Sequence, residues 1–388
     1  MTGDGAGSPG KTLIVTNDFP PRPGGIQAFV HGLAARRPPG SVVVYAPRWT
    51  GCHAFDLRQP YHVVRHPGRL MLPLPTVARR AAELVAAFGC ETVVFGAAAP
   101  LGLLAPGLRA AGARRVVMLT HGHEASWASM PLSRGVLARI GGHADVVTYL
   151  GDYTRGRLAA AISDAKLVRL APGVDTGLFR PGAGGAEVRK ALGLGERPVA
   201  VCVSRLVPRK GQDVLVRAWP RVLAEVPDAV LLLVGGGPIR GRLERLVRAG
   251  GLEAAVRITG PVPWAALPSY YDAGDVFAMP CRTRLRGIDL EGLGIVYLEA
   301  SSAGLPVIAG SSGGAPDAVR HGETGLVVDG SAPAEVAAAV AGLLADPARA
   351  RAMGERGREW ITREWTWDAV AARFDRLLAP SGPRPAQP

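Results

Sequence analysis

The chain has 388 residues, more than one typical hydrophobic core accommodates, so two domains are expected. Hydrophobic residues make up 48% but aromatics only 6%, which predicts a core of Ala, Val and Leu built from parallel strands and stacked helices. The +13 formal charge is uneven: residues 1–180 hold 20 Lys+Arg against 10 Asp+Glu, and residues 181–388 hold 25 against 22.

A basic first half suits a phosphorylated substrate, anionic lipid or nucleic acid. Arginine-biased coding, with only four lysines in the chain, accounts equally well for the high isoelectric point but not for the asymmetry. The four cysteines are far apart and form no Cys-x-x-Cys pair, which argues against a zinc site or a disulfide framework and for reduced thiols. The N-terminal MTGDGAGSPGK lacks an apolar core, so no secretory signal is expected. The longest uncharged run, 92–108, is broken by Pro100 and Pro106 and is too short to span a bilayer; it reads as a strand and then a helix. Any membrane contact is therefore expected to be peripheral.

In chain order, short apolar runs predict strands at 12–16, 42–46, 61–65, 92–96, 115–119 and 146–149. Strands this apolar, spaced by helical patterns, predict a parallel sheet covered on both faces. The Gly/Pro-rich stretch from 177 marks a linker. The same rhythm restarts at 199–203, 230–234, 256–259, 276–279, 307–309 and 326–328. Residues 355–378 form a last amphipathic stretch around Trp360, Trp365 and Trp367, and the tail from Pro380 is expected to be disordered. The expected division is a flexible 1–10, a domain 11–176, a linker 177–197, a domain 198–364, a helix 365–379 packing back on the first domain, and a tail 380–388.

Ligands in doubly wound sheets sit at the carboxyl ends of strands, and the chemistry-bearing motifs follow strands. Gly24-Gly25 precedes a helix beginning near Gln27; such a loop offers amides to a diphosphate or a sugar, or is an ordinary strand–helix turn. In Thr120-His121-Gly122-His123-Glu124, a histidine is a polar contact to a sugar hydroxyl, a structural group or, least favoured for want of a third distant ligand, a metal ligand. Arg205 and Lys210 follow 199–203 and suit neutralisation of a diphosphate in place of a metal; the alternative is a solvated basic turn. Lys210-Gly211 lacks the remainder of a phosphate loop, so an NTPase is disfavoured, and Gly235-Gly236-Gly237 lacks dinucleotide-fingerprint spacing. Gly260-Pro261-Val262-Pro263 places backbone where a base edge is read. Glu291 and Glu299 are seven residues apart, the first among Gly287, Gly292 and Gly294, the second in a helical segment. Two such carboxylates suit a sugar and a ribose hydroxyl. Asp289-Leu290-Glu291 mimics a metal triplet, but its glycine-rich setting fits a metal-free site better.

On these residues the chain, over 11–378, resembles the retaining glycosyltransferases of family 4, which have the GT-B fold: α/β, two Rossmann-like doubly wound domains facing across an interdomain cleft. Glu291 to Glu299 matches the family's E-x7-E element, Arg205 and Lys210 its diphosphate-binding pair, and Gly24-Gly25 its glycine loop. NDFPPRPGGIQ, FGAAAPL, THGHE, SRLVPRKGQD, DLEGLGIVYLEA and PVIAGSSGGAP are similar to the actinobacterial mannosyltransferases that add a second mannose to phosphatidylinositol monomannoside.

That resemblance implies GDP-mannose as donor with no metal or other cofactor, a phosphoinositide glycolipid acceptor, an α-1,6 linkage, and work at an anionic membrane surface on the cytoplasmic side. It implies that Arg205 and Lys210 hold the diphosphate, helped by the amides of Ile295 and Val296. Glu299 binds the ribose, Glu291 the mannose, and Val262 lies near the guanine. His121 touches the sugar, Gly24 and Gly25 approach the diphosphate, and Asp18 touches the acceptor headgroup. The basic segment 281–287 (CRTRLRG) departs from the glycine-rich loop expected there. Lipid docking is expected at Arg65, Arg69, Arg79 and Arg80, with 71–75 (MLPLP) inserting shallowly; the alternative is a solvated helix face.

Rival readings are a family-4 transferase with another donor or acceptor, a sugar-nucleotide 2-epimerase, a catalytically dead sugar-nucleotide sensor and a nucleic-acid-binding protein. The last lacks aromatic–basic interleaving or any helix-turn-helix signature. The sequence carries no reading of oligomeric state.

Overall fold

The structure is a computed structural model describing residues 10–128 and 130–379; the expected tail 380–388, and the expected flexible terminus apart from Gly10, lie outside the described residues. The chain divides into two compact units, Met1–Pro172 with Trp367–Pro388, and Gly173–Thr366.

Unit 1 carries β1 (Lys11–Val15), β2 (Val42–Pro47), β3 (His62–His66), β4 (Cys90–Phe95), β5 (Arg115–Met118), β6 (Val146–Tyr149) and β7 (Leu167–Arg169). They form one parallel sheet in the order β3-β2-β1-β4-β5-β6-β7. Side chains alternate between its faces, as the pleat requires. Leu13, Val15, Val93 and Phe95 enter one core cluster, whereas Ile14, Val44, Val94 and Val117 enter the other. Burial on both faces explains why these strands are continuous apolar runs.

The helix Trp367–Leu378 covers the second face through Val370, Phe374 and Leu377. Trp367 lies against Gly32 of the helix Gly25–Ala35, where a Cβ would sit 2.2 Å from the indole, and Arg37 of unit 1 pairs with Asp375. The amphipathic stretch 355–378 falls in two helices, Pro347–Glu364 and Trp367–Leu378, assigned to different units.

Unit 2 carries β8 (Val199–Val203), β9 (Val230–Val234), β10 (Val256–Gly260), β11 (Val276–Met279), β12 (Val307–Gly310) and β13 (Gly325–Val328), parallel in the order β10-β9-β8-β11-β12-β13. The strand order reverses at β8 and β11, which places a ligand beyond their carboxyl ends.

Two expectations differ from the structure. The stretch 177–197 is folded into unit 2 and contains the helix Gly185–Ala191. The Asp272 carboxylate accepts the amides of Gly182 and Gly185 at 2.8 and 2.7 Å, so this glycine-rich composition serves close packing. β7, only three residues with one charged, carries too little pattern to be anticipated; it is held by its register on β6.

Candidate active site

The segments after the carboxyl ends of β8, β10 and β11 carry the candidate groups of unit 2. After β8, Lys210 is nearly buried, and its Nζ donates to Glu291 Oε2, which follows β11, at 2.6 Å. A second cation, Arg209, approaches Glu291 at 3.9 Å and Asp289 at 3.5 Å. Asp289 in turn pairs with Arg284 at 3.3 Å, so the Asp289-Leu290-Glu291 triplet is engaged by basic side chains. Arg282 donates from one nitrogen to both oxygens of the buried Asp213 at 2.9 and 3.0 Å, and its amide donates to Arg209 O. Of the basic departure, Arg282 thus lashes the loop after β11 to the segment after β8, whereas Arg284 braces its own loop through Asp289. Among the described residues no ion pair engages the exposed Arg205.

The helix Ile295–Ser302 begins at Gly294 with no side-chain cap and no acid in its first turn. The amide of Tyr297 closes on Gly294 O, leaving the Ile295 and Val296 amides ahead of the first helical bond. Their partial positive charge favours an anion. Gly294 is required twice over: its φ is +83°, and a Cβ would lie 2.6 Å from the Tyr297 ring.

One turn into this helix, Glu299 accepts a hydrogen bond from the buried Tyr271 hydroxyl at 2.7 Å. Burial raises its carboxyl from 4.5 to about 7, the Tyr271 hydrogen bond opposing part of that rise. Val262 is half-buried in the loop after β10. Burial pushes the Cys202 and Cys281 thiols up to about 12 and 11, which leaves them protonated and poor nucleophiles.

In unit 1 the loop after β1 holds Asp18, whose Oδ1 accepts from Gln27 Nε2 at 2.7 Å and lies 3.7 Å from Arg22. Gly24 caps the helix Gly25–Ala35 with φ +157°, and a Cβ there would strike Gln27 Oε1 at 2.0 Å. After β5, His121 Nε2 donates to Gly96 O, beyond β4, while its ring packs edge-on against Phe29 at 5.8 Å. That bond assigns the ring proton of neutral His121 to Nε2. The side chain of His123 lies outside the described residues, and among the described residues no group of three His, Cys, Asp or Glu side chains forms a metal site.

Residues 23–178 match the model of Glycosyltransferase Family 4, and residues 186–360 that of Glycosyl transferases group 1. The GDP-mannose-dependent α-(1-6)-phosphatidylinositol monomannoside mannosyltransferase of Mycobacterium tuberculosis is 55% identical over 377 residues, covering 95% of this chain and 98% of that one. This chain belongs to that mannosyltransferase family.

The Mycolicibacterium smegmatis member is 52% identical over 97% of this chain and 99% of its own length. A member from Corynebacterium glutamicum, named for a monoacylated acceptor, is 45% identical over 95% and 97%. Among solved structures, Anabaena HepE with UDP superposes with a TM-score of 0.79 at 19% identity, covering 95% of this chain and 99% of that one. Sucrose-phosphate synthase of Thermosynechococcus elongatus gives 0.75 at 24%, over 95% and 98%. These likenesses show the GT-B fold.

Lys210, Glu291, Ile295, Val296 and Glu299 all lie beyond the carboxyl ends of unit 2's central strands; Asp18, Gly24, Gly25 and His121 take the corresponding places in unit 1. Two docking expectations require correction. The Arg65 side chain is only 8% exposed, paired to Asp56 at 2.7 and 3.0 Å and donating to Pro20 O and Pro47 O, so its guanidinium is committed internally. Met71 is 0% exposed because the Asn17 side chain grips its backbone at both ends, at 2.7 and 2.9 Å, turning it into the core. Sequence reading missed Tyr271, which lies near no motif, and gave Gln27, Asp213 and Arg282, all within named segments, no structural partner.

Proposed function

We propose that this chain transfers mannose from GDP-mannose to phosphatidylinositol monomannoside, forming an α-1,6 linkage with retention of configuration. The observation that carries the reading is the buried Lys210–Glu291 pair beside an uncapped helix start, on a chain 55% identical to a transferase of that name.

When the donor binds, Lys210 turns from Glu291 to the diphosphate, Arg205 joins it, and the amides of Ile295 and Val296 complete the cradle. Preorganised positive charge stabilises the departing GDP, the role a divalent metal fills in other transferases. The released Glu291 carboxylate accepts from mannose hydroxyls, Glu299 from the ribose, and the Val262 backbone meets the guanine.

Unit 1 supplies the acceptor side: Asp18 to the headgroup, His121 to the sugar, and Gly24 and Gly25 allowing close backbone approach to the diphosphate. The C1–O bond to the diphosphate breaks, the acceptor hydroxyl attacks C1 from the same face, and its proton passes to a diphosphate oxygen. No enzyme nucleophile is invoked.

Peripheral association with the inner face of an anionic membrane is part of the proposal. Arg79, Arg80, Leu70, Leu72 and Leu74 are exposed on unit 1, and among the described residues no helix is long and apolar enough to cross a membrane. The test is radiolabelled GDP-mannose with and without phosphatidylinositol monomannoside vesicles, with no added metal and then with chelator. Label in a lipid carrying two mannoses supports donor, acceptor and metal independence together. Transfer only from a UDP-sugar overturns the donor assignment, and activity lost to chelator overturns metal independence.

A further inference from the structure

Trp49, in the loop after β2, is an exposed indole approached by two guanidiniums. Arg22 Cζ lies 5.6 Å from its ring centroid and Arg69 Cζ 5.9 Å. Arg48 is the adjacent exposed residue. A single arginine beside a surface tryptophan is a common packing motif. Two on one indole bring like charges together, and only Arg22 has a carboxylate nearby, Asp18 at 3.7 Å. Among the described residues no carboxylate pairs with Arg48 or Arg69.

The backbone beneath is fixed where the loops after β1, β2 and β3 converge. The Arg48 amide donates to His66 O and to Gly68 O at 3.0 and 3.2 Å. Arg65 ties Pro20 and Pro47 together, and Asn17 clamps Met71. The same segment continues into the exposed Leu70, Leu72 and Leu74. A cationic cluster in which only Arg22 has a carboxylate nearby, on a rigid base, joined on one side to Asp18 and on the other to exposed leucines, fits a ligand that is anionic in the middle, polyhydroxylated at one end and acyl at the other.

We propose that Trp49, Arg22 and Arg69 form a subsite for the phosphodiester of the acceptor, with Trp49 spacing the two guanidiniums. The inference rests on the acceptor reading of unit 1. A guanidinium fork binds phosphate oxygens in pairs, which an ammonium or an amide does not reproduce. The subsite recognises the headgroup itself, as distinct from a general attraction to anionic lipid, and the two differ in whether acyl chains are needed.

The test uses full-length protein with GDP-mannose and two acceptors: phosphatidylinositol monomannoside in neutral phosphatidylcholine vesicles, and its water-soluble deacylated glycerophospho form. Arg69→Gln and Trp49→Leu are expected to raise KM for both acceptors about tenfold, the contribution of one charge-assisted contact. KM for GDP-mannose stays within about twofold, and Trp49→Phe recovers most of the loss. Arg69 is exposed, so its variant also guards against misfolding of the Trp49 variants; melting curves check both. A penalty confined to the vesicle acceptor overturns the headgroup subsite in favour of bilayer attraction, and no penalty on either acceptor overturns it altogether. Wild-type protein that transfers to neither acceptor overturns the acceptor reading and the subsite with it. Wild-type transfer with unaffected variants overturns the subsite alone.

Discussion

Replacing Glu299 with glutamine separates two consequences of its burial. The carboxyl is raised from 4.5 to about 7. At about 1.4 kcal/mol per unit, holding it ionised in the folded protein costs on the order of 3 kcal/mol. The folded state keeps this proton to near neutrality, whereas the unfolded chain loses it near 4.5. The group's contribution to stability is therefore fully present below 4.5 and is lost as pH rises through about 7. Ribose hydroxyls donate, so the donor binds the ionised form. GDP-mannose affinity, by calorimetry, is expected to be constant above pH 7.5 and to weaken by up to tenfold per unit below 7, roughly 30-fold by pH 5.5. Glu299→Gln removes this slope and binds roughly 10- to 100-fold more weakly at pH 8, from loss of about 1.5–3 kcal/mol of charge-assisted hydrogen bonding. Melting temperature of the wild type, relative to the variant, falls between pH 5 and 7.5. A wild-type affinity that is flat from pH 5.5 to 8, with the variant uniformly weaker, would refute the burial argument.

Lys210→Met strands the Glu291 carboxylate, costing about 3–5 kcal/mol of stability along with transfer activity; adding Glu291→Leu restores the melting temperature and leaves transfer absent. Tyr271→Phe removes the hydrogen bond that opposes the rise of Glu299. Its affinity profile shifts to higher pH, with donor binding at pH 7 weakened about tenfold and binding at pH 8.5 nearly intact. Arg282→Gln frees the loop after β11 from Asp213 and leaves that carboxylate buried: kcat drops at least tenfold, and a cycle with Asp213→Asn gives a coupling of about 1–3 kcal/mol by denaturant unfolding. Gly294→Ala forces a Cβ against the Tyr297 ring at positive φ; donor KM rises and about 1–3 kcal/mol of stability is lost in the same unfolding assay.

Most of the fold was legible because its strands are buried on both faces. A run such as VLLLV at β9 has no alternation to confuse with a surface strand, and its edges coincide with the glycines that follow. The candidate site was legible through glycines too: Lys210 precedes Gly211, and Glu291 and Glu299 lie on either side of Gly292 and Gly294. Their partners were not. Tyr271 is 28 residues from Glu299, and Arg282 is 69 from Asp213; such meetings follow from strand order and register, which no local pattern encodes. Arg65 misled because charge alone does not tell a docking side chain from one whose guanidinium is taken up internally by Asp56, Pro20 O and Pro47 O. Met71 misled because its apolar neighbours, Leu70 and Leu72, do face outward. The segment 177–197 misled because glycine and proline mark tight packing as readily as freedom.

Unit 1 is discontinuous in sequence: one face of its sheet is covered by Trp367–Leu378, encoded after the whole of unit 2. Chains emerge from the ribosome N-terminus first. The first unit is therefore synthesised almost complete, yet waits with Phe29 and Val117 lacking part of their cover until the second has been made. Stop codons or proteolysis near the C-terminus thus damage the half of the molecule translated earliest. The order of biosynthesis makes unit 2 the one able to finish folding alone, and unit 1 the one that completes itself last.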